Sequence, residues 1–135
     1  VRNFELVIFD CDGVLVDSER ITNQVFAQML PRFEGKLFSV TEVPKGKPAP
    51  DVFLYAARKS NAEPSACVVI EDTPTDVSAG IAAGMTVYGY AALTPARLLQ
   101  DAGAHRVFDD MLELPSLISA RAQPPDDSLV VITQN

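Results

Sequence analysis

The chain has 135 residues, 47% of them apolar and 21% charged, which suits one soluble globular domain with a buried core and excludes a disordered tail. A formal charge of −7 argues against a surface for nucleic acid or anionic membrane, both of which favour clustered Lys and Arg. Cys11 and Cys67 give no disulfide framework, no apolar run reaches membrane-spanning length and the N-terminus does not read as a signal peptide, so a cytoplasmic location is expected.

Strand and helix patterns alternate along the chain, which predicts an α/β fold with a parallel sheet. Residues 6–9 read as a buried strand that runs into Asp10, Asp12 and Gly13 at its carboxyl end, where open α/β sheets place ligands. Two carboxylates one residue apart serve as nucleophile, general acid/base or ligand of a hard cation, and equally as caps of the helix that follows. Gly13 lets the chain turn and backbone N–H groups approach a phosphate. Cys11, on the opposite face from the two acids, reads as packing filler.

A helix is predicted over 18–30 and a strand over 37–40. Lys47 then sits between Gly46 and the rigid Pro48, Ala49, Pro50 run, a fixed loop rather than a solvated surface, whereas Lys36 and Lys45 default to solvent. A helix starts after Pro50, with Asp51 near its N-terminus. The strand 68–70 ends in Glu71 and Asp72, and a helix over 75–83 is closed by Gly84. Asp76 reads either as a water-mediated metal contact or as first-turn charge favoured by the helix dipole. The strand 86–90, a helix over 95–102 ending at Gly103 and an edge strand at 107–108 complete the alternation. His105 reads as a surface residue. Residues 1–118 form the predicted core domain and 119–135 a tail. The apolar run 129–132 inside that tail has no functional account; it reads as a docked terminal strand or a remnant.

Residues 10–18, DCDGVLVDS, resemble the first motif of the haloacid dehalogenase superfamily, DxDGxLxDS, at every specified position. Gly46, Lys47, Pro48, Ala49 and Pro50, followed by Asp51 and Phe53, resemble its lysine motif. The strand ending in Glu71 and Asp72, with TPTDVSAGIAAGM after it, resembles its fourth. The resemblance runs from Phe4 to about Leu114 and is closest to the phosphatase and β-phosphoglucomutase-like branch. It implies a Rossmann-like parallel sheet with flanking helices and a Mg²⁺-dependent phosphatase of a small phosphorylated metabolite, a sugar or polyol phosphate. It further implies Asp10 as nucleophile, Asp12 as general acid/base, and Lys47 and Gly13 as phosphate-binding residues. The implied metal shell is Asp10, the main-chain carbonyl of Asp12, Asp72 and Glu71, with Asp76 in a second shell. A phosphomutase, a silent phosphate-binding or interaction module and a receiver-type phosphoacceptor domain are the rival readings.

One departure is large. The family's helical cap, and the second-motif strand ending in Ser or Thr, do not fit between Ser18 and Lys47. The sequence therefore reads as lacking an internal segment between Leu30 and Pro31, and neither Ser39 nor Thr41 is assigned the second-motif role. The strand at Val7 is then expected to lose a neighbour and expose an edge prone to intermolecular pairing, giving a monomer or weak homodimer.

Overall fold

The computed structural model describes residues 4–10, 34–39, 48–119 and 128–133. In chain order these form β1 (Leu6–Asp10), β2 (Glu34–Ser39), α1 (Asp51–Lys59), β3 (Cys67–Glu71), α2 (Pro74–Ala82), β4 (Thr86–Tyr90), α3 (Ala96–Asp101), β5 (Arg106–Phe108), α4 (Leu114–Ser119) and β6 (Ser128–Thr133). The strands make one six-stranded sheet in the order β2-β6-β1-β3-β4-β5, parallel throughout. The expected α/β class and Rossmann-like parallel sheet are what forms. The helix expected over 18–30 lies outside the described residues.

The expected open edge beside β1 does not occur. β6 pairs with β1 from Leu6 opposite Ser128 to Asp10 opposite Ile132, while β3 pairs on the other side from Leu6 opposite Cys67 to Phe9 opposite Ile70. A strand with polar backbone on both edges is stable inside a core only when both edges are paired. The apolar run near the C-terminus meets that requirement, and it also carries β2, whose ladder is made with β6. Two smaller differences have local causes. β2 begins at Glu34, ahead of the apolar residues that marked it. α4 is six residues long with Pro115 in its first turn, too short to display a helical period.

Alternation along the strands sorts the core into two layers. Val7, Phe9, Val68, Ile70, Tyr88 and Tyr90 join Phe4, Phe108, Met111, Leu114 and Ile118 on one face. Leu6, Ile8, Cys67, Val69 and Val87 lie on the other, covered by Val52, Phe53 and Ala56 of α1, Val77 and Ala79 of α2, and Leu99 of α3. Leu6, Val7, Ile8 and Phe9 are all fully buried, each burial contributing about 1.5–3 kcal/mol. β1 is thus held from both faces as well as both edges.

Three helices hand the chain back to the sheet through one device. After α2, Gly84 adopts φ +80°, its N–H donates to Ile81 O (2.9 Å) and the Met85 N–H to Gly80 O (3.2 Å). The same pair of bonds closes α3 around Gly103 (φ 111°) and α1 around Asn61 (φ 55°). This is the six-to-one and five-to-two pattern that satisfies the last helical carbonyls and needs a left-handed residue, which Gly and Asn tolerate best.

Gly80 has a different reason. A Cβ built there would stand 2.6 Å from Cγ2 of Val87, so the bare backbone lets α2 press onto β4. Gly80→Ala should therefore destabilise the fold by about 1–3 kcal/mol through overpacking, although alanine favours helices. Urea unfolding followed by circular dichroism checks this; a variant as stable as the parent would show that α2 shifts freely.

Candidate active site

All six strands point the same way, so their carboxyl ends share one edge of the sheet. β1 delivers Asp10 to that edge. β3, in register beside it with Phe9 opposite Ile70, ends in Glu71 and is followed by Asp72. The chain then turns at once into α2. Thr73 adopts an extended conformation and its Oγ1 accepts the Asp76 N–H at 3.2 Å, while Pro74 occupies the first turn, where a missing N–H costs nothing. This cap folds the first turn back over the strand end and brings Asp76 to Glu71 and Asp72.

Glu71, Asp72 and Asp76 each offer a carboxylate oxygen, all within 4.8 Å of one another. Glu71 is fully buried and the other two are half-buried. Oxygen ligands about 2.1 Å from an octahedral Mg²⁺ lie about 3–4 Å apart, so this donor set is of the right chemistry and size for a hard dication. Of the residues expected from sequence, the fold thus brings Glu71, Asp72 and Asp76 together and sets Asp10 on the neighbouring strand end. Asp12, Gly13 and Lys47 lie outside the described residues; Pro48, directly after Lys47, opens the turn that leads into α1.

β6 closes at Thr133, one position beyond Ile132, the residue opposite Asp10. A cleft of about 300 Å³ lies farther along the same edge, after β4 and β5, where Thr94, Asp109 and Glu113 contribute its polar lining. His105, read as a surface residue, is exposed but also structural: its Nδ1 accepts the Val87 N–H at 3.0 Å and its N–H donates to Val87 O at 2.8 Å, tying the approach to β5 onto β4.

A family model described as haloacid dehalogenase-like hydrolase matches residues 28–84. The bifunctional riboflavin kinase/FMN phosphatase of Arabidopsis thaliana is 41% identical over 73 residues, 54% of this chain and 19% of that protein. The 6-phosphogluconate phosphatase of Escherichia coli is 34% identical over 64 residues, 47% of this chain and 29% of that protein. Among solved structures, a haloacid dehalogenase-like protein of Agrobacterium tumefaciens superposes with a TM-score of 0.67 at 23% identity, covering 87% of this chain and 99% of that one, a likeness of fold. Over these stretches the chain is similar to haloacid dehalogenase-like hydrolases. It spans less than a third of the length of the two curated relatives.

Cys67, at the start of β3, is free and fully buried, and its Sγ–H donates to Glu63 O at 3.3 Å. Burial, with lesser contributions from the negative charges of Glu5 and Glu63, pushes its pKa from 9.0 up to about 12. Below pH 9 the thiol is protonated in folded and unfolded chains alike. Between about pH 9 and 12 the unfolded chain releases this proton while the folded chain keeps it, so stability falls as pH rises through that window. Unfolding titrations at pH 8 and pH 10.5 should show a larger loss for the parent than for Cys67→Ala; equal losses would remove Cys67 as a source of alkaline sensitivity.

Proposed function

We propose that this chain carries the core of a Mg²⁺-dependent phosphatase that hydrolyses a small phosphorylated metabolite through an aspartyl-phosphate on Asp10. The observation that carries the reading is the cluster of Glu71, Asp72 and Asp76 at the end of the strand beside the one that ends in Asp10. The agreement of residues 10–18 and 46–53 with two further family motifs supports it, as does similarity to proteins named as phosphatases of FMN and of 6-phosphogluconate. A sugar or polyol phosphate is the substrate class most consistent with that branch.

In this reading an Asp10 carboxylate oxygen attacks phosphorus in line; the new O–P bond forms as the ester P–O bond breaks. Asp12 gives its proton to the leaving alkoxide, then takes one from the water that attacks the aspartyl-phosphate, releasing inorganic phosphate and restoring Asp10. Lys47 holds Asp10 ionised and offsets charge on the phosphoryl oxygens, with Gly13 contributing backbone donors. Asp10, the main-chain carbonyl of Asp12, Asp72 and Glu71 would hold the metal, with Asp76 as an outer partner; Mg²⁺ would supply electrostatic stabilisation of the transferring phosphoryl group.

Asp10→Asn is nearly isosteric and a far poorer nucleophile. We expect it to lower phosphate release from sugar phosphates by at least about a thousandfold with little change in melting temperature, and to abolish phosphoenzyme detected by mass spectrometry. Substantial residual turnover would remove Asp10 from the nucleophile role.

Calorimetric titration orders the proposed metal shell. Asp72→Ala should weaken Mg²⁺ binding by more than about tenfold, and Asp76→Ala by less, since a direct ligand matters more than one acting through water. Equal or reversed losses would contradict the shell.

A further inference from the structure

We propose that Thr73 is a positioning residue of the acid cluster: its side chain holds Asp76 beside Glu71 and Asp72 and thereby sets the affinity of the cluster for Mg²⁺. This rests on the reading of the cluster as a Mg²⁺ site, in which Thr73 is not itself a ligand.

Only Thr73, Pro74 and Thr75 separate Asp72 from Asp76, and across them the chain passes from the end of β3 into the first turn of α2. Thr73 is extended (φ −125°, ψ 153°), so Asp72 stands on the strand side of the bend and Asp76 on the helix side. Two bonds close the bend and Thr73 accepts both, the Asp76 N–H at its Oγ1 (3.2 Å) and the Val77 N–H at its carbonyl (2.9 Å). The second is the ordinary first bond of a helix, which any residue can accept. The first needs a side-chain oxygen at this position. It is made to the backbone of the residue whose carboxylate completes the cluster.

Electrostatics gives that bond its consequence. Three carboxylates with oxygens within 4.8 Å of one another, one of them fully buried, repel each other more strongly than they would in open water. Glu71 is fixed in the sheet opposite Gly89, so the repulsion is relieved by opening the first turn of α2. The Thr73 cap opposes that opening. A capped turn is already formed when the cation arrives, whereas an uncapped one must be formed during binding, and apparent affinity falls by the fraction of molecules in the competent form.

The test is calorimetric titration of the whole chain with Mg²⁺ alone, with the melting temperature of each variant measured alongside. Thr73→Val keeps the shape and removes the acceptor; it should weaken Mg²⁺ binding about three- to tenfold. Thr73→Ala, expected to match it, covers the case in which valine disturbs the turn. Thr73→Ser and Thr73→Asn supply a capping oxygen by different chemistry and should bind within about twofold of the parent. Asp110→Ala removes a cap of the same kind beyond β5, where the Asp110 Oδ1 accepts the Leu112 N–H at 3.0 Å, and should leave Mg²⁺ affinity unchanged. On an Asp76→Ala background Thr73→Val should add little further loss, because the carboxylate through which it acts is gone. Parental affinity in both Thr73→Val and Thr73→Ala overturns the inference and leaves the metal site standing. So does a loss that serine and asparagine fail to restore, an equal loss in Asp110→Ala, or a full additional loss on the Asp76→Ala background. A parent chain that binds no Mg²⁺ overturns the metal reading as well.

Discussion

The double pairing of β1 is the constraint on which the rest of the structure depends. β1 carries Asp10, its four preceding residues are fully buried, and its backbone can be buried only because β3 lies on one edge and β6 on the other. β3 brings the acids. β6, through its outer edge, holds β2 in the sheet. Half of the sheet therefore hangs on six residues near the C-terminus.

The site follows from that constraint with few additional elements. A parallel sheet collects the ends of all its strands on one side, so apolar runs that finish in polar residues form a polar edge without any long loop. Thr73 and Pro74 then turn the chain into α2 within two residues of Asp72, which places the charge of Asp76 at a helix N-terminus and beside two other carboxylates. The helix dipole favours that position, and so does a dication. The two readings of Asp76 that the sequence left open are compatible in the folded chain.

The elements with a local cause were legible in the sequence. β4 has the expected bounds, β1, β3, α1, α2 and α3 lie within a few residues of their expected positions, and Gly84 and Gly103 announce two of the three helix ends. Asn61 does the same work at α1 without the usual glycine, so that end was silent. What sequence order could not reveal was spatial order. β6 is a plain apolar run, and nothing within it says which edge it will join; that choice was made by the unpaired edge of β1, far away along the chain. The expectation of an exposed strand failed for this reason, since a gap counted along the sequence was closed in space. Among the acids, Glu71 and Asp72 were readable because strand and helix signals flank them closely.

The placement of β6 also sets a timetable. As the chain leaves the ribosome, β1 emerges early and β3, α2 and β4 follow, yet β1 keeps one bare edge until residues 128–133 have been made. β2 waits with it. Contacts between segments so distant in sequence carry a large loop-closure cost and make folding slow, and a half-finished parallel sheet is open to capture by other nascent chains. The polar stretch ARAQPPDDS ahead of β6 is rich in charge and proline, a composition that resists such capture until β6 docks. The acid cluster of α2 and β3 can assemble before then, whereas β1, and Asp10 at its end, is held on both edges only once β6 has docked.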